Sequence, residues 1–365
     1  MKAMDVYPIW YQKNRPFAKQ VGSIVSAKGF TSAALEQVQG KVISKWNEAL
    51  SKGVVEADNA TTDYLKEISL AFYHGSFCEA GKQIFAFTGG LGELLANTSA
   101  KEIPIKSIKS PYESYFIQFH LPVHWGLNEI VGAYIIDNEL IPSLQVCLVL
   151  NPSDKAQHWM ISPAGYFFIP LDRKQEDASL SALIEGAVNA EVVNKWQHAT
   201  KSMPLPVGAE VTDKRSQRAM RESMDLNSAK VAIHKALSYV ANCLCYLSSG
   251  DVESETDYPS DTSKSLLDKI KEATKPKAIS KAKSQLTQHG FLPITYVGKS
   301  IGLKRSNSIH NQCDAKEHWR RGHWRNQAHG ESRAERKLIW IKPTLVGQTD
   351  SVDKQKINGR VYQVN

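Results

Sequence analysis

The chain has 365 residues, which is long for one domain, sufficient for two, and enough to bury a sizeable core. Hydrophobic residues make up 42% and charged residues 22%, a composition that excludes a collagen-like or wholly disordered chain. No apolar run approaches the roughly 18 residues of a membrane-spanning helix, and the first residues lack the apolar centre of a signal peptide. We therefore expect a folded cytoplasmic protein without membrane contact.

Charge is distributed unevenly along the chain. The net charge is +8, but Lys264–Asn365 alone carries 21 basic and 8 acidic residues, so residues 1–263 are slightly acidic. A basic C-terminal part favours a polyanionic partner, either nucleic acid or an acidic protein surface, and a solvated basic surface is the alternative. The five cysteines are odd in number and scattered, which predicts reduced thiols.

The predicted elements begin with helices. An aromatic arm over residues 1–30 precedes a helix at Ser32–Lys52, where apolar positions recur at helical spacing. Two further helices are predicted from about Thr61 to Tyr73 and from Lys82 to Leu95. A glycine-rich stretch in the last of these superficially suggests a phosphate loop, but it lacks the Gly-Lys-Ser/Thr ending, so we interpret it as helix packing. Residues 1–103 are thus predicted as a helical N-terminal region.

A sheet and core helices are predicted for residues 104–250. Short aromatic and β-branched runs separated by turn residues indicate antiparallel strands. The runs are Tyr115–Phe119, Val131–Ile136, Leu144–Leu150, and Trp159–Ile161 with Phe167–Ile169, and Asn151–Asp154 is predicted as a hairpin turn. Helical spacing returns at Ala178–Thr200 and at Ser228–Leu247, the most apolar helix. His120, His124 and His158 lie at strand edges, where a structural role is the more common one.

The C-terminal part divides into a linker and a final set of strands. Residues 251–289 are predicted as a mobile charged linker, because they contain few large apolar residues. Residues 290–365 are expected to share the core of 104–250, since they offer too few strands to be stable alone. The predicted fold class is α+β, with a helical N-terminal part packed with a central antiparallel sheet. The C-terminal strands then carry a basic His/Arg/Trp motif.

That motif holds the residues best suited to chemistry at a surface. Two His-Trp pairs alternate with arginines and lead into a strand, Lys337–Lys342, that stops at Pro343. Arginine offers a planar fork to phosphate or carboxylate, tryptophan offers a stacking face, and histidine titrates near neutrality. The candidate binding residues are His318, Arg320, Arg321, His323, Trp324, Arg325, Arg333, Arg336 and Trp340.

Three interpretations of the motif compete. In the first, the arginines bind phosphates or carboxylates; in the second, the tryptophans are packed and the arginines merely solvated. In the third, His318 or His323 is the general acid or base of a metal-independent ribonuclease. A zinc site from Cys313, His318, His323 and His329 would have spacings of five, five and six, which match no established finger. We predict no metal and no cofactor, and a binding protein is favoured over an enzyme.

The same segment resembles a known family. Its pattern is similar to the C-terminal signature of a group of phage- and plasmid-borne proteins that includes the second of the type V-A anti-CRISPR families. The matching residues are His318, Arg320, Arg321, Gly322, His323, Trp324, Arg325, Trp340, Pro343 and Gly347. Pro111–Ile117, Gly132–Tyr134, Val297–Gly302 and Arg360–Tyr362 are also similar to segments of the family.

The resemblance implies suppression of a type V CRISPR effector by lowering its synthesis, through recognition of the emerging effector chain and loss of its message. The implied partners are the nascent effector polypeptide or its ribosome, and RNA, in the cytoplasm of a bacterial host. A ribonuclease that uses His318 or His323 and a plain nucleic-acid-binding regulator remain the alternatives.

Overall fold

The computed structural model describes most of the chain in eight segments. These are residues 1–14, 70–126, 128–138, 141–151, 166–194, 225–250, 252–301 and 318–346, with scattered positions between 24 and 52. Several predicted elements lie wholly or largely outside these residues. They are the helices at Ser32–Lys52 and from about Thr61 to Tyr73, the turn at Asn151–Asp154, the strand at Trp159–Ile161, and the family-like segment Arg360–Tyr362.

The helices and strands have the following bounds. The helices are α1 (Tyr7–Asn14), α2 (70–79), α3 (Gly89–Ala96), α4 (Leu180–Val188), α5 (Leu226–Ser248), α6 (Lys264–Glu272) and α7 (Pro276–Gln288). The strands are β1 (Ile84–Phe87), β2 (Thr98–Ser99), β3 (Ser114–Trp125), β4 (Asn128–Ile136), β5 (Ser143–Leu150), β6 (Tyr166–Asp172), β7 (Ser254–Asp257), β8 (Ile294–Val297), β9 (His318–Arg320), β10 (Gly322–His329), β11 (Glu335–Ile341) and β12 (Thr344–Val346). A π-helical turn, Asn189–Val193, continues α4.

The core of the fold is a seven-stranded sheet in the order β6-β5-β4-β3-β1-β8-β7. Strands β3 to β6 are antiparallel neighbours, as the short connections between them predicted. Strand β1 lies parallel to both β3 and β8, so the sheet is mixed and not antiparallel throughout. The α+β class is confirmed, and its sheet draws strands from residues 1–103 and 290–365 as well as from the middle of the chain.

Strand β1 corrects the helix predicted from Lys82. All four of its residues are buried between β3 and β8. A strand covered on both sides is a continuous apolar run, and periodicity alone cannot separate such a run from a buried helix. The glycine-rich stretch then starts α3 at Gly89, directly after the strand.

Alternate side chains of the same strands divide between two cores on opposite faces of the sheet. On one face, Tyr115 and Ile117 pack in a cluster that also contains residues of α3, α4 and α5. On the other, Phe116 and Tyr134 pack with residues of α1 and α2. Helices therefore cover both faces, which explains why the central strands are apolar at nearly every position.

Helix α5 is the long helix predicted from its apolar composition. Asp225 caps it by accepting hydrogen bonds from the backbone N–H groups of Asn227 and Ser228. Its 23 residues include Ala236, Leu237 and Val240, which are buried against the sheet. In the described part of the chain, no helix combines the length and apolarity needed to cross a bilayer.

The stretch 251–289, predicted as a mobile linker, contains β7, α6 and α7. Strand β7 pairs with β8 at the edge of the sheet, although all four of its side chains are exposed. Backbone pairing rather than apolar burial orders this strand. The amino-acid composition of a segment indicates whether its side chains are buried, so it could not predict this exposed strand.

Arg173 ties β6 to the loop that precedes β3. Its Nη1 donates to the carbonyls of Ile105 (2.8 Å) and Ile108 (3.0 Å), and its other nitrogens bind both carboxylate oxygens of Asp137. We expect Arg173→Lys to lower the free energy of unfolding by about 1–2 kcal/mol, because an ammonium group cannot replace this planar fork. Urea denaturation measures the loss. Lys106→Arg, at an exposed pair, is the control, and equal midpoints for the two variants would contradict the expectation.

Candidate functional site

The signature folds as an antiparallel hairpin of β10 and β11, and β2 pairs in parallel with the free edge of β10. Trp324 and Trp340 face each other in register, and their rings are stacked 5.8 Å apart at 17°. Trp324 is only 4% exposed, whereas its neighbours His323 and Arg325 are exposed. The hairpin therefore has an inner tryptophan face and an outer face that carries His323 and Arg325.

A buried network of polar groups fastens the inner face to the rest of the protein. Trp324 Nε1 donates to Asn242 Oδ1 of α5 (2.9 Å), and Asn242 Nδ2 donates to the carbonyl of Thr98 (2.9 Å). Trp340 Nε1 donates to Thr98 Oγ1 (3.1 Å). Both indole N–H groups are thus satisfied inside the protein. Of the interpretations left open above, packing describes Trp324, and Trp340 is half-buried beside it.

Gly322 and Pro343, two residues of the signature, meet at the open end of the hairpin, opposite its turn. A Cβ at Gly322 would lie 2.7 Å from Pro343 N and 2.7 Å from the carbonyl oxygen of Ile341. Those are backbone atoms that cannot move aside, so position 322 has no room for a side chain. The Gly322 N–H also donates to the carbonyl of Asn97 (3.0 Å), which joins the hairpin to the end of α3.

The other predicted site residues are spread over the hairpin. Arg333 and Arg336 are exposed near its turn, where Ser332 and Arg333 have φ of 54° and 57°. His318 and Arg320 belong to β9, whose backbone pairs with β12: His318 stands opposite Val346, and Arg320 opposite Thr344. Arg321 lies at the junction of β9 and β10. The site residues whose side chains the structure describes, from Arg321 to Trp340, therefore do not converge on one point.

The histidines of the hairpin do not form a catalytic pair among the described residues. His323 stands opposite Ile341 in register, and no described carboxylate binds it. His329 Nδ1 lies 3.3 Å from Glu335 of the facing strand. Within the described ranges, no group of three or more His, Cys, Asp or Glu side chains could hold a metal ion. Cys313 of the zinc alternative lies outside those ranges.

His74 and Cys78 of α2 are the other pair with catalytic potential, since Cys78 Sγ lies 3.5 Å from His74 Nε2. Burial lowers the pKa of His74 to about 3 and raises the pKa of Cys78 to about 11. Both groups are therefore neutral at physiological pH, whereas a nucleophilic cysteine needs the thiolate. His74 Nδ1 also lies 2.9 Å from the Tyr134 hydroxyl, so this is a structural cluster of the core.

A groove of about 1000 Å³ opens beside the hairpin. Its walls come from α3, β2, β3, α4 and α5, and Arg321 lies at its margin. Ser99 of β2 also lines it and is the register partner of His323 in the parallel pair. Partner residues of parallel strands point to the same face, so the outer face of the hairpin continues from the groove.

The groove is rich in positive charge. Four permanent cations line it, together with three histidines and two carboxylates. The cations are Lys101, Lys230, Lys235 and Arg321, the histidines are His120, His124 and His234, and the carboxylates are Glu93 and Glu185. Glu185 binds Lys230 (2.8 Å), and His234 Nε2 lies 3.1 Å from its second oxygen. Lys101, Lys235 and Arg321 form no ion pair with another described residue, so the charge of the groove is not balanced from within.

Two titratable groups of the groove are shifted by their surroundings. The hydrogen bond from Lys230 keeps the pKa of Glu185 below its usual range, so this carboxylate is ionised at neutral pH. Burial lowers the pKa of His234, while the nearby Glu185 opposes that shift. His234 is therefore mostly neutral at neutral pH. The lasting positive charge of the groove comes from its lysines and arginine.

Large apolar side chains are exposed in the same groove. Leu121 is 67% exposed and Val231 is 68% exposed. Leu121 lies where the pairing of β3 with β4 shifts register between Gln118 and Val123, which turns that part of the strand outward. An exposed leucine alone is ordinary, but two apolar side chains in one cationic groove mark a surface suited to binding.

Local patterning did not predict the groove. The apolar spacing of the helix predicted at Ser228–Leu247 includes Val231 and so predicts that Val231 is buried. Its side chain is instead 68% exposed, which corrects that prediction. His120 and His124 were expected to be structural, and both are exposed on its wall. His120 also packs closely on α3, because a Cβ at Gly92 would lie 2.7 Å from His120 Cβ. The available signal was Gly92, a glycine inside a helix, which often marks close packing.

Fold and site together define a groove-bearing α+β protein with a docked C-terminal hairpin and a cationic, partly apolar binding surface. The family model described as AcrVA2-like, the Anti-CRISPR type V subtype A2 family, matches residues 85–348, which is more than two thirds of the chain. The chain belongs to this family. The matched region runs from β1 through β12 and includes every groove-lining element. Comparison with curated proteins gave no match.

Proposed function

We propose that this anti-CRISPR protein lowers the production of a type V-A effector nuclease by engaging the effector's nascent chain in the groove. Family membership supplies the target. The observation that carries the proposal is that the groove combines exposed Leu121 and Val231 with cations that form no ion pair with another described residue. An extended polypeptide offers apolar side chains and acidic groups at short intervals, and such a surface accommodates both.

The chemistry of the groove favours a polypeptide over RNA as its occupant. Sequence-tolerant binding of single-stranded RNA uses exposed aromatic rings on which the bases stack. Among the described lining residues, the one Phe, Tyr or Trp side chain is Tyr239, which is 8% exposed. Trp324 and Trp340 donate their indole hydrogen bonds to Asn242 and Thr98 inside the protein, so they do not serve as stacking platforms in the groove.

The outer face of the hairpin extends this surface. Arg325 and His323 are exposed beside the groove and supply donors for phosphate or carboxylate groups. These two side chains are suited to contact the message or the ribosome. Both lie beside any polypeptide that is still being translated. The protein thus serves a phage or plasmid in the host cytoplasm and removes the effector at its synthesis.

A recoded effector gene tests this proposal. Cells would express the protein with one of three effector genes: the natural gene, a synonymously recoded gene, and a gene whose first segment is frame-shifted and then restored. We expect effector protein and message to fall for the first two and to persist for the third, because only the third changes the nascent chain. Loss that follows nucleotide sequence instead, or no loss of either product, would overturn engagement of the chain.

Arg325→Ala separates binding from stability. Arg325 is exposed and lies opposite Ile339, so its removal should change the free energy of unfolding by less than about 0.5 kcal/mol. If its partner is a phosphate, affinity should fall and the salt dependence should flatten by about one unit of slope. Thermal melting and a salt titration of binding measure the two effects. A variant that melts early yet suppresses the effector fully would assign Arg325 a structural role.

A further inference from the structure

Helices α6 and α7 form a helical hairpin that is rich in lysine. Residues 264–288 contain seven lysines and two acidic residues, Asp268 and Glu272. The lysines are Lys264, Lys269, Lys271, Lys275, Lys277, Lys281 and Lys283, and all seven are exposed. The hairpin thus presents a dense positive surface to solvent.

This charge is not neutralised by the described part of the protein. None of the seven lysines forms an ion pair with another described residue, whereas Lys299 binds Glu255 (2.8 Å) at the neighbouring sheet edge. Like charges held close together repel one another and cost stability. A dense cluster that its own fold leaves unbalanced is typical of a surface that meets an anionic partner.

The hairpin is anchored rather than free. Leu286 and Ala282 of α7 are buried, which fixes that helix against the protein. At its C-terminal end, a Cβ at Gly290 would lie 2.7 Å from Lys13 Cε, so α7 abuts α1. Helix α1 covers the sheet face opposite to the groove. The lysine surface is therefore separate from the groove and from the signature hairpin.

The kind of partner follows from what the surface lacks. Residues 264–288 contain no aromatic residue, so the hairpin cannot stack on bases. Its other large apolar side chains, Leu266, Leu267, Ile270 and Ile279, are half-buried and none is fully exposed, whereas the centre of a protein interface and a membrane-inserted face are built on exposed apolar side chains. Lysine is a flexible point charge that contacts phosphates without fixing their geometry. Such a surface fits the phosphate backbone of RNA.

We propose that the α6–α7 hairpin is a second binding surface, which contacts RNA phosphates without reading the bases. It would hold the protein near a translating ribosome while the groove engages the chain. This goes beyond the proposed function and does not depend on it, because phosphate binding needs neither the effector nor the groove. Message and ribosomal RNA share this backbone chemistry, so the test must distinguish them.

Charge reversal on α7 tests the proposal. The variant Lys277→Glu, Lys281→Glu, Lys283→Glu should keep the fold, because Glu and Lys have similar helix propensities. The matched control Lys2→Glu, Lys109→Glu, Lys174→Glu makes the same change in net charge at exposed lysines elsewhere, which also form no ion pair with another described residue. Full-length proteins would be titrated with a mixed-sequence single-stranded RNA at several salt concentrations, and circular dichroism would confirm their folding.

We expect the α7 variant to bind RNA at least about tenfold more weakly at low salt, with the salt dependence flattened by about two units of slope. The control variant should bind nearly as the natural protein does. Co-sedimentation with message-free ribosomes, lost only in the α7 variant, would identify ribosomal RNA as the source; retained co-sedimentation would identify the message. RNA binding that is unchanged in the α7 variant, or equally reduced in the control, would overturn the proposal. Binding to anionic phosphatidylserine vesicles without binding to RNA would also overturn it.

Discussion

Trp324→Ala is expected to lower the free energy of unfolding by about 3–5 kcal/mol, because it removes a large buried ring from a packed site. Trp324 stacks on Trp340 and donates a hydrogen bond to Asn242. Truncation would leave a cavity under the hairpin and a buried amide oxygen without its donor, and each adds to the cost.

The control for this prediction lies one residue away. Arg325→Ala alters the outer face of the same strand and should leave stability nearly unchanged. Trp324→Phe should fall between the two, since it keeps an aromatic ring but loses the indole N–H. Chemical denaturation of the three variants would rank them. If Trp324→Ala unfolded at the same denaturant concentration as the natural protein but no longer bound its ligand, Trp324 would be a binding residue. That result would contradict the structure.

Val231→Glu combined with Arg321→Glu is expected to weaken binding in the groove by about 100-fold. Each change removes one favourable contact, apolar or ionic, and each places a carboxylate where acidic groups of the ligand would lie. A loss of about 1.4 kcal/mol per site gives a tenfold loss of affinity for each. Both side chains are exposed, so the fold should persist.

The consequence of this double change is measured as effector abundance in cells that express the variant. We expect the effector to return to the level seen without the anti-CRISPR protein. Met4→Glu is the control for the introduced carboxylate, because Met4 is an exposed apolar residue on the side of the molecule covered by α1. Full suppression by the groove variant, at equal protein level, would remove the groove from the mechanism.

Much of the fold followed from the sequence, and the exceptions have physical causes. Helix α5 was predicted because its apolar residues recur at helical spacing. Strands β3 to β5 were predicted because aromatic and β-branched runs alternate with turn residues. Strand β1 was predicted as helix because a strand buried on both sides loses its alternation. Strand β7 is held by backbone pairing and exposed polar contacts, which leave no trace in apolar content.

The candidate site was predicted only in part. The signature located the hairpin and its exposed arginines, but the sequence left open whether the tryptophans face in or out. Asn242 decides this, and it lies in a helix 82 positions from Trp324. The groove could not be predicted, because its lining comes from five separate elements and has no spacing of its own. Val231 illustrates the limit, since its position within an apolar helix gave no indication that it is exposed.

Site-specific photo-crosslinking in translating cells tests the central claim most directly. Val231→p-benzoylphenylalanine places the crosslinker in the groove, and Met4→p-benzoylphenylalanine places it on the opposite side of the sheet as the control. We predict that the groove position crosslinks to the nascent type V-A effector chain while it is still attached to ribosomes, and that the control does not. Equal crosslinking from both positions, or crosslinking of the groove position to RNA alone, would contradict recognition of the nascent chain in this groove.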